Sequence, residues 1–375
     1  MRVYLLVLLV ALAITLLTVP LAHWVALRTG AITAVRDRDV HTIPTPRLGG
    51  LAMWCGLTVA VTFASGTPFL RSTFAGPGGQ ELWAIVIAGG MVCALGMADD
   101  IWDLDWLTKL VGQVLAAGFV AWRGVQLITV PIGGVTIASA RLSLFATVIV
   151  VVVAMNAVNF VDGLDGLAAG MIAIGGTAFF LYTYLLTQAQ NPGDYSNRAT
   201  VVLAGLVGVC LGFLPYNTHP ARIFMGDSGS MLLGLVLASA AIIVTGQIDP
   251  EKVSVGQQLP AFIPILLPLA VILLPLLDMT MAVVRRLAAG KSPFHPDRLH
   301  MHHRLLALGH SHQRAVVIMY LWTAVFAFGA AALAVWPARE VAVGLVAAVV
   351  LALVLTLGPL RGRARARRTT PGGIR

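Results

Sequence analysis

Charge is scarce in this sequence. Of its 375 residues 11% are Asp, Glu, Lys or Arg, where a soluble globular domain carries about 25%. With 58% hydrophobic residues and a mean hydropathy of +0.88, the shortage excludes a large water-soluble domain and makes the chain an integral membrane protein. Cysteine is scarcer still. Cys55, Cys93 and Cys210 all lie in apolar runs, without disulfide or zinc spacing, and are read as packing residues. No internal repeat of the kind found in inverted-topology transporters is visible. The opening apolar run, residues 3–27, exceeds a signal-peptide h-region, only Arg2 precedes it, and no small-residue cleavage site follows, so a retained first helix is expected. Acids number 16 against 25 Lys and Arg, a formal net charge of +9. Five of those arginines, Arg361, Arg363, Arg365, Arg367 and Arg368, sit in one tail beside the last apolar segment. Such a tail is a cytoplasmic anchor facing anionic lipid, and no nucleic-acid partner is expected.

A membrane helix takes roughly 20 mainly apolar residues. Eleven segments qualify: 3–27, 48–65, 82–98, 107–122, 142–158, 167–187, 199–216, 229–246, 259–284, 315–336 and 341–360. The expected fold is all-α, a polytopic transmembrane bundle of these helices, with one catalytic unit over 1–360 and a basic tail over 361–375. Residues 124–141, with Pro131, Gly133 and Gly134 among β-branched residues, are too broken for a span and read as a surface hairpin. An odd number of crossings puts the termini on opposite sides. The tail then sets the C-terminus in the cytoplasm and the N-terminus outside. Counting Lys109, 18 of the 25 Lys and Arg fall on the cytoplasmic side. So does every acid except Glu81, Asp194, Asp249, Glu251 and Glu340, or it lies at a helix end opening there. Scarce acids gathered on one face point to a site.

The densest polar stretch is 156–167. After an uncharged run over 142–155, Asn156, Asn159 and Asp162 recur every third residue, along one stripe of a helix. The pairs Asp162-Gly163 and Asp165-Gly166 then loosen the helix into a turn that lets carboxylates approach a ligand. A self-capping helix end is the plainer alternative. Asp99 and Asp100 are adjacent at another helix end, where mutual repulsion is costly unless a cation or a proton relieves it. Oxygen ligands of this kind suit Mg2+, although Lys109 could simply balance an acidic loop. Asp227, next to Gly226 at a helix start, fits either an N-cap or a metal ligand. In the first loop, Pro44 and Pro46 stiffen the approach to Gly49 and Gly50, where backbone can meet an anion beside His41 and Arg47. The last loop holds six of the nine histidines, His295, His300, His302, His303, His310 and His312. Arg298 and Arg304 flank His300, His302 and His303, which favours phosphate over zinc, with a merely basic interfacial loop as the plainer alternative. Asp278, in the ninth segment, is either a functional intramembrane acid or a partner of Arg285 or Arg286.

Together these describe a site with two electrostatic halves: acids and amides for Mg2+, Arg and His for the polyphosphate that Mg2+ also binds. At a membrane surface the second substrate is a lipid carrying its own phosphate, and the chemistry is phosphoryl transfer. A solute transporter is the competing reading from another class. Transporters, however, place coupling groups near the bilayer midplane, and these acids sit at helix ends.

The five motifs, in order over residues 28–314, resemble the polyprenyl-phosphate N-acetylhexosamine-1-phosphate transferases. Within that family the chain is most similar to the enzymes that pair undecaprenyl phosphate with GlcNAc. Pro-Arg-Leu-Gly-Gly stands where the phospho-MurNAc-pentapeptide transferases have Thr-Met-Gly-Gly, and that donor is the nearest alternative. The resemblance implies a bacterial inner-membrane enzyme that moves GlcNAc-1-phosphate from UDP-GlcNAc to a polyprenyl phosphate and releases UMP. Its product would begin a cell-envelope polysaccharide. It implies Mg2+, with Mn2+ as a substitute, and leaves a homodimer open. Asp227 would ligate Mg2+, and Asp99 and Asp100 would handle the metal or the lipid phosphate. Asn156, Asn159, Asp162 and Asp165 would line the nucleotide and metal site, with Phe224 and the Asp165-Gly166 turn near uracil. His41, Arg47, Arg298, His300, His302 and His303 would bind substrate. Asp99, Asp100, Asp162, Asp227 and His300 are expected in the chemistry itself. Two routes stay open: direct attack by the lipid phosphate with Asp99 as base, or prior attack by an enzyme carboxylate.

Overall fold

In hydrocarbon only a helix satisfies every backbone N–H and C=O within one segment, and the long uncharged runs among the described residues are helical. The computed structural model describes residues 1–33, 44–127, 139–190, 196–246 and 308–369, with scattered positions between 269 and 306. Helix α1 spans Arg2–Thr29, and α2 (Gly49–Ser65) is followed by a 3-10 turn, Pro68–Leu70, and α3 (Arg71–Phe74). Then come α4 (Pro77–Trp102), α5 (Trp106–Trp122), α6 (Ala140–Val161), α7 (Leu167–Gln190), α8 (Arg198–Asn217) and α9 (Gly226–Thr245). Two further helices, α10 (His312–Ala332) and α11 (Ala338–Thr369), close the described chain.

Eight of these helices are long and apolar enough to cross a membrane. Helix α2 with its continuation into α3, bent by 86°, makes a ninth, and α5 is shorter, at 17 residues. Each expected segment except 259–284 has its helix. That segment, with Asp278, lies largely outside the described residues, as do the centre of the expected hairpin and most of the histidine loop. Among the described residues there is no strand, only an isolated bridge between Ile32 and Pro46.

Helix α9 is the axis of the bundle. It is apolar all round, as a fully buried helix is, and it packs against α2, α4, α6 and α8. Helix α1 instead buries one stripe, Tyr4, Val7, Ala11, Thr15, Val19, Ala22 and Ala26, against α2 and α8. Lipid is as apolar as Leu, so close backbone approach holds such helices together. A Cβ on Gly208 or Gly212, one turn apart on α8, would lie 2.3 or 2.4 Å from the carbonyl oxygens of Leu8 and Leu12.

Asn197 ties three helices together. Its Oδ1 accepts from the Thr200 N–H at 3.2 Å and caps α8. Its Nδ2 donates to Thr187 Oγ1 of α7 at 2.9 Å, and its own N–H donates to the Tyr4 hydroxyl at 2.7 Å. The Asn197→Ala variant is expected to lose about 1–2 kcal/mol of stability, read as a lower melting temperature of the detergent-solubilised protein with activity retained. An unchanged melting temperature would show that the cap contributes nothing.

The C-terminal ends of α1, α4, α6 and α8 and the N-terminal ends of α2, α5, α7, α9 and α10 meet on one face. All the polar motifs that the structure describes lie there.

Candidate active site

Two loops form the floor of this face by pairing backbone to backbone. Phe224 N–H donates to Pro46 O at 2.8 Å, Gly49 N–H to Phe224 O at 3.0 Å, and Gly50 N–H to Met225 O at 3.0 Å. Thr33 N–H and Arg47 N–H continue the pairing to Thr45 O and Ala31 O. Leu48, at φ +85, is held in the left-handed region at the start of α2, a strained position for a non-glycine residue. The result is a rigid junction between the first motif and the Gly226-Asp227 turn.

A cleft of about 310 Å³ opens beside this junction, lined by Thr33, Arg47, Asn159, Asp162, Gly163, Leu164, Phe224, Gly226 and Asp227. Asp227 Oδ1 accepts from Asn159 Nδ2 at 2.9 Å, and that amide also donates to Ser230 Oγ at 2.9 Å. On the other side, Lys109 Nζ lies 3.3 Å from Asp227 Oδ2 and 2.9 Å from Asp99 Oδ2. Asp99 Oδ1 is taken by the Leu104 N–H at 2.9 Å. Asp99 thus accepts one bond on each carboxylate oxygen and anchors Lys109. Asp100 is buried behind Gly226, with Arg47 Nη1 3.5 Å from its Oδ1. Its Oδ2 has no hydrogen-bond partner among the described residues, and a Cβ on Gly226 would lie 2.2 Å from it.

Asp162 makes no side-chain hydrogen bond among the described residues and faces the cleft. Burial pushes its carboxyl up to about 7. The nearby Asp227 and Asp165 charges add to the rise and Arg47 opposes it. In the cation-free protein this shift works against stability at higher pH, because an unfolded Asp ionises near 4 and the folded one near 7. Two carboxylates and an amide around one cleft, with a partnerless oxygen behind it, are hard oxygen donors that fit Mg2+.

The polar stretch therefore divides. Asn159 and Asp162 face the cleft with Arg47, Phe224 and Asp227. Asn156 stands one turn back, donating to Gln113 Oε1 at 2.7 Å and Val152 O at 2.8 Å. Asp165 is buried and turned to the α8–α9 loop, with Oδ2 2.7 Å from His219 Nδ1 and accepting from the Ala221 N–H at 3.1 Å. Gly166 N–H donates to Asn217 Oδ1 at 3.1 Å, and the Tyr320 hydroxyl donates to Gly166 O. His41, Arg298, His300, His302 and His303 lie outside the described residues.

Sequence reasoning passed over Lys109 as an acid-balancing residue. A lysine in an apolar helix beside two carboxylates is a functional signal in its own right. His219 and Gln113 had no such signal, because their partners are 54 and 43 residues away.

The family model described as glycosyl transferase family 4 matches residues 82–245. The chain is 44% identical to the decaprenyl-phosphate N-acetylglucosaminephosphotransferase of Mycolicibacterium smegmatis, over 95% of this chain and 89% of the relative. It is 30% identical to a Bacillus subtilis protein named probable undecaprenyl-phosphate N-acetylglucosaminyl 1-phosphate transferase, over 86% of this chain and 83% of the relative. The phospho-N-acetylmuramoyl-pentapeptide-transferase of Desulforudis audaxviator is 29% identical, over 84% of this chain and 91% of the relative.

Proposed function

The chain belongs to glycosyl transferase family 4, and from that premise we propose that it transfers GlcNAc-1-phosphate from UDP-GlcNAc to a polyprenyl phosphate, releasing UMP. It is a multi-pass membrane transferase. The observation that carries the reading is the cleft of Asn159, Asp162 and Asp227 facing Arg47, acid on one wall and cation on the other. A phosphoryl donor requires that pairing.

Asp162 and Asp227 would hold Mg2+, with Mn2+ as a substitute. The bound ion supplies charge neutralisation to the diphosphate. Asn159 orients Asp227 by hydrogen bond, while Lys109, anchored by Asp99, aims that carboxylate from the other side. Arg47 faces the donor's phosphates. An oxygen of the lipid phosphate forms the bond to the β-phosphorus as the bond to the UMP oxygen breaks, and UMP leaves with the electron pair. The lipid phosphate is already anionic near neutral pH, so the step needs positioning more than a base. Asp99, which holds Lys109 against Asp227, is a positioning residue in this scheme.

The site faces the cytoplasm, where a nucleotide sugar is found. The N-terminus is then outside and the basic tail inside, in a bacterial inner membrane, and the unit works alone or as a homodimer. Purified protein given UDP-GlcNAc, polyprenyl phosphate and Mg2+ is expected to release UMP, with UDP-MurNAc-pentapeptide a poor donor. Turnover with the second donor but not the first would transfer the reading to the other branch of the family. Absence of UMP with either would overturn it.

Protons and Mg2+ compete for Asp162. Its carboxyl ionises near 7 without the cation, so the apparent affinity for Mg2+ should weaken by up to about tenfold per pH unit below that value and level off above it. Measured at pH 6 and pH 8, the Mg2+ concentration for half-maximal rate is expected to be about tenfold higher at the lower pH. Equal values would remove Asp162 from the cation's ligands.

A further inference from the structure

The last two helices enclose a groove far from the cleft. It holds about 550 Å³ and runs between α10 and α11, from Trp336 and Glu340 at its mouth to Ala324 and Ala348 at its foot. Glycines shape it. A Cβ on Gly344 would meet nothing within 4 Å, whereas one on Gly329 would lie 2.7 Å from Leu345 Cδ1, so the helices touch there and part at Gly344. Helix α10 starts on the face of the candidate site, which puts the mouth at the opposite membrane surface. Helix α11 is the least covered of the long apolar helices described: 11% of its apolar window is buried, and it packs chiefly against α10.

Depth and charge name the occupant. At 1.5 Å per residue the stretch from Glu340 to Ala348 is about 12 Å long, against roughly 15 Å for one leaflet of a hydrocarbon core about 30 Å thick. A helix from a second copy would seat along the full thickness, but this groove ends within one leaflet, the depth of an acyl chain. The mouth carries both signs of charge. Glu340 on the rim and Arg339 beside it in the first turn of α11 are exposed, and among the described residues neither has an ion-pair partner. Trp336, 58% exposed, stands with them, a residue type that settles at head-group level.

We propose that the α10–α11 groove binds one acyl chain of a phospholipid with an ethanolamine head group, Glu340 taking its ammonium and Arg339 its phosphate. Lipid hydrocarbon is as apolar as the lining, so the chain fills the groove and the head group decides which lipid stays. A primary ammonium donates charge-assisted hydrogen bonds to a carboxylate; a choline nitrogen has no N–H to donate. The guanidinium fork matches phosphate oxygens, and the positive end of α11 adds to that attraction. A glycerol head group would leave Glu340 unmatched. The seated lipid joins α11 to α10 where the helices part, and the site does not depend on the reaction proposed for the cleft.

The test uses full-length protein in detergent, stripped of lipid and given phosphatidylethanolamine, phosphatidylcholine or phosphatidylglycerol of equal chain length. Native mass spectrometry should find one phosphatidylethanolamine retained, at least fivefold over the other two. Gly344→Phe, whose ring fills the groove, should lower that retention at least tenfold, while Gly118→Phe on the open face of α5 should leave it unchanged. Glu340→Gln should erase the preference over phosphatidylcholine. Equal retention of the three lipids, or full retention by Gly344→Phe, would overturn the site. A second measurement needs no variant. Phosphatidylethanolamine with a diazirine in its acyl chain should crosslink to residues between 324 and 348. Crosslinks confined to other helices, or a dimer whose formation abolishes these, would overturn the proposal even if the variants failed to fold.

Discussion

Asp227→Asn is expected to lower UMP release by about a thousandfold, close to 4 kcal/mol of transition-state stabilisation, while the protein still inserts and melts within a few degrees of the parent. The substitution keeps the shape of the side chain and removes its charge. Asp227 is the one acid of the cleft gripped from both sides, by Asn159 Nδ2 at 2.9 Å and by Lys109 Nζ at 3.3 Å. Without that charge the Asn159 amide loses an ionised acceptor, and the proposed cation loses one of its two carboxylates. The loss should fall in kcat, because neutralising a transferring phosphoryl group matters most in the transition state. Near-normal turnover in a well-folded variant would remove Asp227 from the site.

Gly96→Ala should also be damaging, by a different route. A Cβ on Gly96 of α4 would lie 2.1 Å from Ser228 N, 2.4 Å from Ser228 Cα and 2.5 Å from the Asp227 carbonyl carbon. From the other side, a Cβ on Gly50 of α2 would lie 2.2 Å from Gly229 N. The first turn of α9 is thus clamped between two bare helix surfaces. The obstructing atoms are backbone, so no rotamer change relieves them. Overpacking of this kind costs about 3 kcal/mol. A displacement of roughly 1 Å at Asp227 would cost about a hundredfold in rate. The control is Gly118→Ala on α5, where nothing lies within 4 Å. It should be neutral or slightly stabilising, because Ala is the better helix former. Equal melting temperatures and rates for the two variants would show that the clamp does not exist.

The spans were legible because the solvent for most of this chain is hydrocarbon. A long uncharged run has one way to satisfy its backbone there, so hydropathy alone located every helix that the structure describes over 1–246 and 308–369 apart from the short turn at 68–74. The gathering of acids was legible for a related reason. A carboxylate in an apolar chain is costly, and acids confined to the helix ends of one face mark where water and ligand meet them. The family was legible from five motifs in order.

Which neighbours each acid meets was decided only by the tertiary structure. Asn156, Asn159, Asp162 and Asp165 looked equivalent along the chain. Packing of α5 gives Asn156 to Gln113, the α8–α9 loop gives Asp165 to His219, and only Asn159 and Asp162 are left to the cleft. Asp99 and Asp100 are adjacent in sequence, and because a helix turns by about 100° per residue their side chains point apart. Asp99 reaches Lys109, and Asp100 is buried behind Gly226. Residue spacing sets the face a side chain takes on its own helix. The atoms it meets there belong to other helices, and their approach is set by glycines and small side chains whose effect exists only after the bundle has packed.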